Sequence, residues 1–415
     1  KSSSYRTVYF ECLKGTMQDN INGLVRELVR AKLLPVPLNF STLQDVFAYL
    51  NALPEKIVVV IDEYPYLKAM NDSAAVDSVF QNIIDNRLAN IELILSGSHI
   101  GMMKDTLQEK NALYGRFAVT IKLNELDYLE AAKFYPDKTP YDKAAHYAVF
   151  GGSPFVNQAL NPEATIRENI ISTILNPMSA VYLYASQLLL SDYSVKINAE
   201  RIFSVIGNGK KRYTEIEDKL DVKKTGNLSK QIKSLIDLEI IARNSPINKI
   251  GDNKKSTFEI NDNLLRFYFT FIYKNASALQ VLGAEAFYDE YIAPALTDFI
   301  SRRFEGICRD YFSLQVRSGK MKGVRNIGSY YYDDPAHRKN GEFDVALEFA
   351  DGYEIYEAKY YAQPMTLDEI HREVQQVEEI KELTVTQIGF IAVNGFAEKE
   401  EPYLYLDGNN IFANE

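Results

Sequence analysis

Residues Ile57–Tyr64 read Ile-Val-Val-Val-Ile-Asp-Glu-Tyr, and this run limits the fold more than any other part of the chain. Its five consecutive β-branched residues suit a strand buried on both faces of a parallel sheet. The run ends in two adjacent carboxylates, Asp62 and Glu63, at the strand's carboxyl end. In an open α/β sheet that edge is where ligands bind. One carboxylate there can hold a hydrated magnesium ion, and its neighbour can orient an attacking water. The same residues also suit a plain buried strand whose Asp caps the next turn.

The flanking segments favour a ligand-binding edge. Asp72–Leu88 carries apolar residues at helical spacing (Ala75, Val79, Ile83, Ile84, Leu88). Ile91–Leu95 then forms a second apolar strand and ends in Ser96-Gly97-Ser98. Strand, crossover helix and strand make a right-handed βαβ unit. Ser96 and Ser98 would share the sheet edge with Asp62, where a polar group can sense a terminal phosphate; alternatively they form a small-residue turn into a helix near Gly101. Upstream, Thr7–Cys12 predicts a strand and Met17–Leu33 its helix.

The runs IVVVIDEYPYL, LILSGSHIGMM and LYGRF together resemble the archaeal-type ATPases of the AAA+/STAND group. The resemblance implies a P-loop NTPase-type parallel sheet that binds ATP and Mg2+. It makes Asp62-Glu63 a Walker B pair, with Asp62 on the magnesium of ATP and Glu63 activating water. It makes Ser96 a phosphate sensor. Arg116 becomes an arginine finger or sensor, acting across domains or within a neighbouring subunit of a homo-oligomer. Tyr147–Leu160 is similar to the family's glycine-rich lid segment. The family's phosphate loop is absent from the sequence. The nearest run, Gly207-Asn208-Gly209-Lys210-Lys211-Arg212, lacks the required Ser or Thr. The chain opens Lys1-Ser2-Ser3-Ser4 without an initiator Met, so the loop is expected to precede it in a longer protein.

A length of 415 residues predicts two to four domains. The 46% hydrophobic and 25% charged content describes a soluble globular chain. No apolar stretch approaches the roughly 20 residues that a bilayer span needs, so no membrane partner is expected. Cys12 and Cys308 lie far apart without metal-ligand neighbours, which fits a reducing cytoplasm. His99, His146, His337 and His371 show no zinc spacing and read as packing or surface residues. A net charge of −10 disfavours a general affinity for nucleic acid. Two basic patches stand out against it. Between Gly209 and Lys233 there are eight Lys or Arg against four Asp or Glu. Arg317, Lys320, Lys322 and Arg325 follow one another without an intervening acid. Either patch could face a polyanion or simply be a solvated face.

The middle of the chain has the order of a winged helix. Glu200–Gly207 and Tyr213–Leu220, the latter capped by Thr214, predict two helices. A third spans Thr225–Leu238 after a turn at Asp221–Lys224. Strands Ile240–Arg243 and Thr257–Ile260 flank a polar loop, Asn244–Ser256. The third helix of such a module can enter the major groove of DNA. Its outward Asn227, Ser229, Lys230, Gln231 and Lys233 can contact phosphate or base edges. Winged helices in multidomain ATPases also pack against the motor instead of DNA.

Gly341–Tyr361 carries Asp351-Gly352, a hairpin turn signal. A two-residue loop would set Ala350 opposite Tyr353 and Asp344 opposite Lys359. Phe343, Val345, Leu347 and Phe349 would then share one face with Tyr356, Ala358 and Tyr360. Asp344, Glu357 and Lys359 would share the other, with Asp344 and Glu357 as diagonal neighbours. Two such carboxylates could share a magnesium ion, with Lys359 beside them; the pattern also suits an ordinary cross-strand ion pair. Asp344 with Glu357-Ala358-Lys359 resembles the PD-(D/E)XK nuclease superfamily, although Phe343 replaces its usual Pro. The resemblance assigns metal binding to Asp344 and Glu357, with Glu305 of an earlier helix assisting. It places Lys359 in catalysis, and Gln375, in a helix over Thr366–Leu383, as an accessory residue.

The expected fold class is therefore α/β multidomain. An ATPase core over 1–122 precedes a helical lid over 123–196, a winged helix over 197–262, a helical connector over 263–300 and an α/β nuclease-like domain over 301–415. The expected function is an ATPase coupled to a metal-dependent nuclease-like domain acting on nucleic acid, with Lys230, Lys233 and Arg317–Arg325 guiding DNA. The alternative is an ATP-dependent regulatory or scaffolding switch whose nuclease-like domain is inactive.

Overall fold

The computed structural model describes residues 5–69, 73–86, 88–184, 199–207, 209–221, 227–334, 339–380 and 383–413. The expected lid residues 185–196, turn residues 222–224 and third-helix residues 225–226 lie outside them. The chain divides into two compact units, Lys1–Leu123 and Asn124–Glu415.

The first unit is built on β1 (Arg6–Glu11), α1 (Met17–Arg30), α2 (Leu43–Asn51), β2 (Ile57–Asp62), α3 (Tyr64–Ala69), α4 (Ser73–Asp85), β3 (Ile91–Leu95) and α5 (Ile100–Asp105). The strands form an all-parallel sheet in the order β1-β2-β3. Parallel pairing needs helical crossovers, which α1, α2 and α4 supply. Thr16 starts α1 by a reciprocal cap with Asp19, and Thr42 caps α2. Ile21, Leu24 and Leu28, spaced by three and four, bring one face of α1 onto the sheet.

Burial of β2 differs from the expectation. Ile57, Val59 and Ile61 are fully buried beneath the helices, whereas Val58, Val60 and Asp62 are half-buried. Tyr9 and Ile94, on the same face as Val60, are 52% and 49% exposed. The apolar members of that face lie outside the core that α1, α2 and α4 complete. A polar network centred on Asp77 is buried in the same unit. Lys68 Nζ meets Asp77 Oδ2 at 2.7 Å, Tyr64 donates to Asp77 Oδ1 at 2.6 Å, and Asn111 donates to Oδ2 at 2.8 Å.

The second unit opens with α6 (Tyr128–Ala132), α7 (Pro140–Phe150), α8 (Pro154–Gln158) and α9 (Ile166–Asn169). The glycine-rich segment between α7 and α8 serves a close chain approach: a Cβ on Gly152 would lie 1.9 Å from the Leu126 carbonyl oxygen. Next come α10 (Ala199–Ile206), β4 (Lys211–Arg212), α11 (Tyr213–Leu220), α12 (Asn227–Asp237), β5 (Ile241–Asn244) and β6 (Thr257–Ile260). These three helices enclose their own core with an antiparallel sheet in the order β4-β6-β5. Thr214 does not cap α11. The helix starts at Tyr213, and Glu215 folds back to accept from the Arg212 N–H at 2.7 Å.

After α13 (Asn263–Phe267) and α14 (Ala276–Phe287), a long α15 (Ala293–Arg317) leads into β7 (Asn326–Asp334), β8 (Lys339–Glu348) and β9 (Tyr353–Lys359). Then α16 (Leu367–Glu378), β10 (Val385–Ala392), β11 (Leu404–Asp407) and α17 (Gly408–Ile411) follow. The five-stranded sheet runs β11-β10-β9-β8-β7, with β7, β8 and β9 antiparallel and β9, β10 and β11 parallel. One face packs Val345, Leu347 and Tyr356 against Phe304, Ile307 and Phe312 of α15. On the other, Ile370 and Val374 of α16 meet Met365, Phe390 and Ala392. Helices 128–175, 264–312 and the sheet share one continuous core, so the expected lid, connector and terminal domain are a single packed body. Tyr128 of α6 donates to the Ile411 carbonyl at 2.9 Å, and Tyr141 stacks on Tyr360 at 4.2 Å. No helix among the described residues is long and apolar enough to cross a membrane.

Candidate functional site

Each unit gathers carboxylates at a strand margin. In the first unit Asp62 ends β2 and points away from the hydrocarbon core. It accepts from Ser96 Oγ at 2.7 Å and from the Tyr9 hydroxyl. These two donors, Ser96 foremost, hold its carboxyl below the usual carboxylate range. Glu63 accepts from Ser98 Oγ at 3.1 Å and from the Ser98 N–H at 3.3 Å. Its backbone has φ +48°, a left-handed conformation that non-glycine residues rarely hold. Such a residue costs on the order of 1–3 kcal/mol unless its surroundings hold it. Here the Tyr64 N–H donates to the Ser96 carbonyl at 2.9 Å, pinning the chain just after Glu63. Asp62, Glu63, Ser96 and Ser98 thus form one polar cluster at the carboxyl edge of the sheet. The structure pairs Arg116 elsewhere: its guanidinium grips Asp85 in a two-pronged contact at 2.8 and 2.9 Å.

The second unit corrects the hairpin register. Val345 lies opposite Tyr356 and Glu348 opposite Tyr353. The loop therefore has four residues, 349–352, closed by the Phe349 N–H on the Gly352 carbonyl at 2.8 Å. The ladder slips by two residues from the expected pairing, and Asp344 falls across from Glu357 instead of Lys359. A slip of two leaves every β9 side chain on its expected face. A bulge on β8 between Phe343 and Ala346, opposite Tyr330 and Gly328, does change one residue. Phe343 turns to pack with Ala346 and Ile355 instead of with Val345 and Leu347.

Around this ladder the structure brings Glu305 of α15, Asp344, Glu357, Lys359 and Glu373 of α16 together. Lys359 Nζ reaches Glu357 Oε1 at 2.6 Å and Glu373 Oε1 at 3.0 Å. Burial, then the neighbouring Glu357 and Glu305 charges, push the Asp344 carboxyl up to about 8. Burial pushes Glu357 up to about 7 against the pull of Lys359. The carboxylates raise Lys359 above its ordinary value despite its burial. Arg309 donates to the Asp344 carbonyl oxygen at 2.6 Å and steadies the bulge. The accessory position is corrected as well. Gln375 bonds Glu379 on the exposed side of α16, while Glu373 flanks the buried stripe of Ile370 and Val374 and reaches the centre.

The expected metal ligands Glu305, Asp344 and Glu357 do not form a closed cage. Among the described residues, no three acidic, His or Cys side chains converge as metal ligands, and the same holds at Asp62. Lys359 takes the place between Glu357 and Glu373. The donor set still fits Mg2+, which is commonly held by one or two carboxylates plus phosphate oxygens and water. Of the basic residues, Lys230 and Lys233 are exposed on α12. Arg317, Lys320, Lys322 and Arg325 are exposed beyond the far end of α15, with Arg317 some 18 Å along the helix from Glu305 at ~1.5 Å per residue.

Residues 2–156 match the family described as an ATPase domain predominantly from Archaea. The first unit is an archaeal-type ATPase domain. Its Asp62 cluster and Arg116 lie inside the matched region. Residues 268–376 match a second family, described as archaeal and bacterial proteins of unknown function. That region holds Glu305, Asp344, Glu357, Lys359 and Glu373. An uncharacterised protein of Methanocaldococcus jannaschii is 28% identical over 272 residues, 65% of this chain. The chain spans 60% of that relative's length. Among solved structures, the chain is similar to the Walker-type ATPase of Pyrococcus abyssi (TM-score 0.47, 19% identical, 63% of this chain and 83% of that one). It is also similar to the ORC2 protein of Aeropyrum pernix (TM-score 0.43, 10% identical, 64% and 77%). Sequence reasoning missed Tyr9, Glu373 and Arg309. Tyr9 was within reach of it, since a strand residue two places before the sheet edge faces the same side as an edge carboxylate.

Proposed function

We propose that the ATPase domain hydrolyses ATP and that its nucleotide state governs a nuclease-like centre in the second unit, acting on nucleic acid. Asp62 holds the magnesium of ATP, Glu63 orients the attacking water, and Ser96 and Ser98 sense the terminal phosphate. Arg116 answers the nucleotide by exchanging its Asp85 contact for phosphate. The family match supports the ATPase half.

The observation that carries the nuclease half is the convergence of Glu305, Asp344, Glu357 and Lys359, from one helix and two strands, at a single bulged margin. This grouping resembles a PD-(D/E)XK core, and the helix-flanked mixed sheet suits that fold. A divalent cation there would supply Lewis acidity to a phosphodiester. Asp344 and Glu357 would hold it, with Glu305 assisting. Lys359 would steer water toward phosphorus and stabilise the developing negative charge. Residues 199–260 have the element order of a winged helix, and α12 would lay Lys230 and Lys233 along phosphates. Its wing is already engaged: Asn248 exchanges two hydrogen bonds with the Tyr331 backbone, at 2.7 and 3.0 Å.

The bridge from Lys359 to both Glu357 and Glu373 favours a second reading, a switch whose nuclease-like centre is silent. Plasmid and single-stranded substrates with Mg2+ or Mn2+ separate the two. Glu357→Ala and Lys359→Ala should each lower cleavage by roughly 100-fold or more. Equal cleavage by wild type and both variants would defeat the nuclease reading.

A further inference from the structure

Besides Lys359 and Arg309, basic residues from a part of the chain remote in sequence border the Asp344 centre. A cleft of about 600 Å³ runs from the turn between α10 and β4 to α15 and β8, with Asp344 and Glu305 in its wall. The turn contributes Lys210, β4 contributes Lys211, and α15 contributes Arg302. Lys210 Nζ sits 3.7 Å from Glu305 and 3.9 Å from Glu342, too far for a good hydrogen bond to either. Gly209 has φ +106° and approaches Arg302 so closely that a Cβ there would lie 3.1 Å from its Nη1. The turn and the Arg302 head are thus one surface. Neither Lys211 nor Arg302 has a carboxylate within salt-bridge distance among the described residues. Beneath them two buried arginines, Arg266 and Arg303, share one carboxylate, Glu259, at 2.9 and 3.5 Å. Five basic side chains line the cleft against five acids, and among the described residues Lys211 and Arg302 are the two of these cations outside its ion pairs.

Cations outside any ion pair beside a carboxylate centre suit a ligand that is anionic along its length and can also meet a carboxylate-bound metal. A polynucleotide strand has that chemistry. We propose that this cleft takes the phosphodiester backbone of a nucleic acid, with Lys210, Lys211 and Arg302 holding phosphates beside Asp344. Lys210 exchanges its two loose carboxylate contacts for a phosphate oxygen. The 199–260 module then acts as one jaw of the site through its turn, not through α12. The inference rests on the nuclease reading of the Asp344 centre and names its substrate-holding residues.

Fluorescence anisotropy with a labelled single strand and a labelled duplex, in Ca2+ to separate binding from cleavage, tests it. The Lys211→Ala/Arg302→Ala double variant should bind at least one probe about tenfold more weakly, whatever its sequence. Its salt slope should be shallower by roughly one for each phosphate it no longer neutralises. Lys210→Ala should show a smaller loss of the same kind. Thermal melting checks folding, and Arg302→Lys, which keeps the charge, should retain most affinity. Unchanged affinity and salt slope in the double variant, or no binding of either probe by wild type, would overturn the proposal. Binding that depends on these residues without any cleavage would sink the nuclease reading alone. Normal cleavage by the double variant with unaltered binding would sink the cleft alone.

Discussion

The two carboxylate centres solve opposite problems. Asp62 has its charge satisfied in advance, because hydroxyls from Ser96 and Tyr9 donate to it and hold its carboxyl low. Asp344 has its charge opposed, because burial and two neighbouring carboxylates push it up to about 8. On the proposed reading, the first arrangement would receive a magnesium ion that arrives already bound to nucleotide. The second stores electrostatic tension that, on the same reading, a cation would relieve on binding. Lys359 relieves only part of it, since one ammonium serves both Glu357 and Glu373. Similar residue types at similar strand margins therefore differ in what they await.

The largest effect that would sharpen this contrast is at Glu63. Glu63→Gly should lower ATP hydrolysis by roughly 100-fold, as expected for loss of a group that positions water. The ATPase domain should melt within a few degrees of wild type, because relief of the left-handed backbone at φ +48° offsets the lost Ser98 contacts. A clear fall in melting temperature would mean that Glu63 serves the fold instead.

The next largest concerns pH. The folded state keeps a proton on Asp344 between its ordinary value of 3.8 and about 8, where the unfolded chain has released it. Stability of the second unit therefore falls as pH rises through that window. Melting without divalent cations should drop between pH 5 and pH 8, and Asp344→Asn should flatten the drop by roughly 2–4 °C. At Asp62 the sign reverses. A depressed carboxyl adds stability that is present at neutral pH and lost as pH falls through its folded value. Ser96→Ala should cost about 1 kcal/mol at neutral pH, measured by denaturant unfolding, and less near pH 3. A cost independent of pH would break the comparison.

The reach of sequence reasoning follows the range of the forces involved. Strands β2 and β3 and the helices around them were legible because β-branched runs and helical spacing are local. The hairpin faces were legible for the same reason, but the register was not. Asp351-Gly352 signalled a turn without revealing that Phe349 and Ala350 belong to the loop. The bulge that turns Phe343 leaves no local mark, since it arises from pairing with Tyr330 and Gly328. Glu373, not Gln375, is in helical phase with the Ile370–Val374–Val377 stripe, a relation that the sequence carries. The Arg116–Asp85 pair, the docked wing and the cleft beside Lys210 are tertiary, and no spacing rule reaches them. Burial on both sides of β2 failed because it assumed a covered second face, where Tyr9 and Ile94 are exposed.

Isothermal titration of Mn2+ into the nucleotide-free protein at pH 7, in two buffers of different ionisation enthalpy, tests the central claim most directly. Wild type should bind the cation and release protons from Asp344 and Glu357, and both binding and release should be lost in Asp344→Asn. Identical isotherms for wild type and Asp344→Asn, or binding with no proton release, would contradict the account.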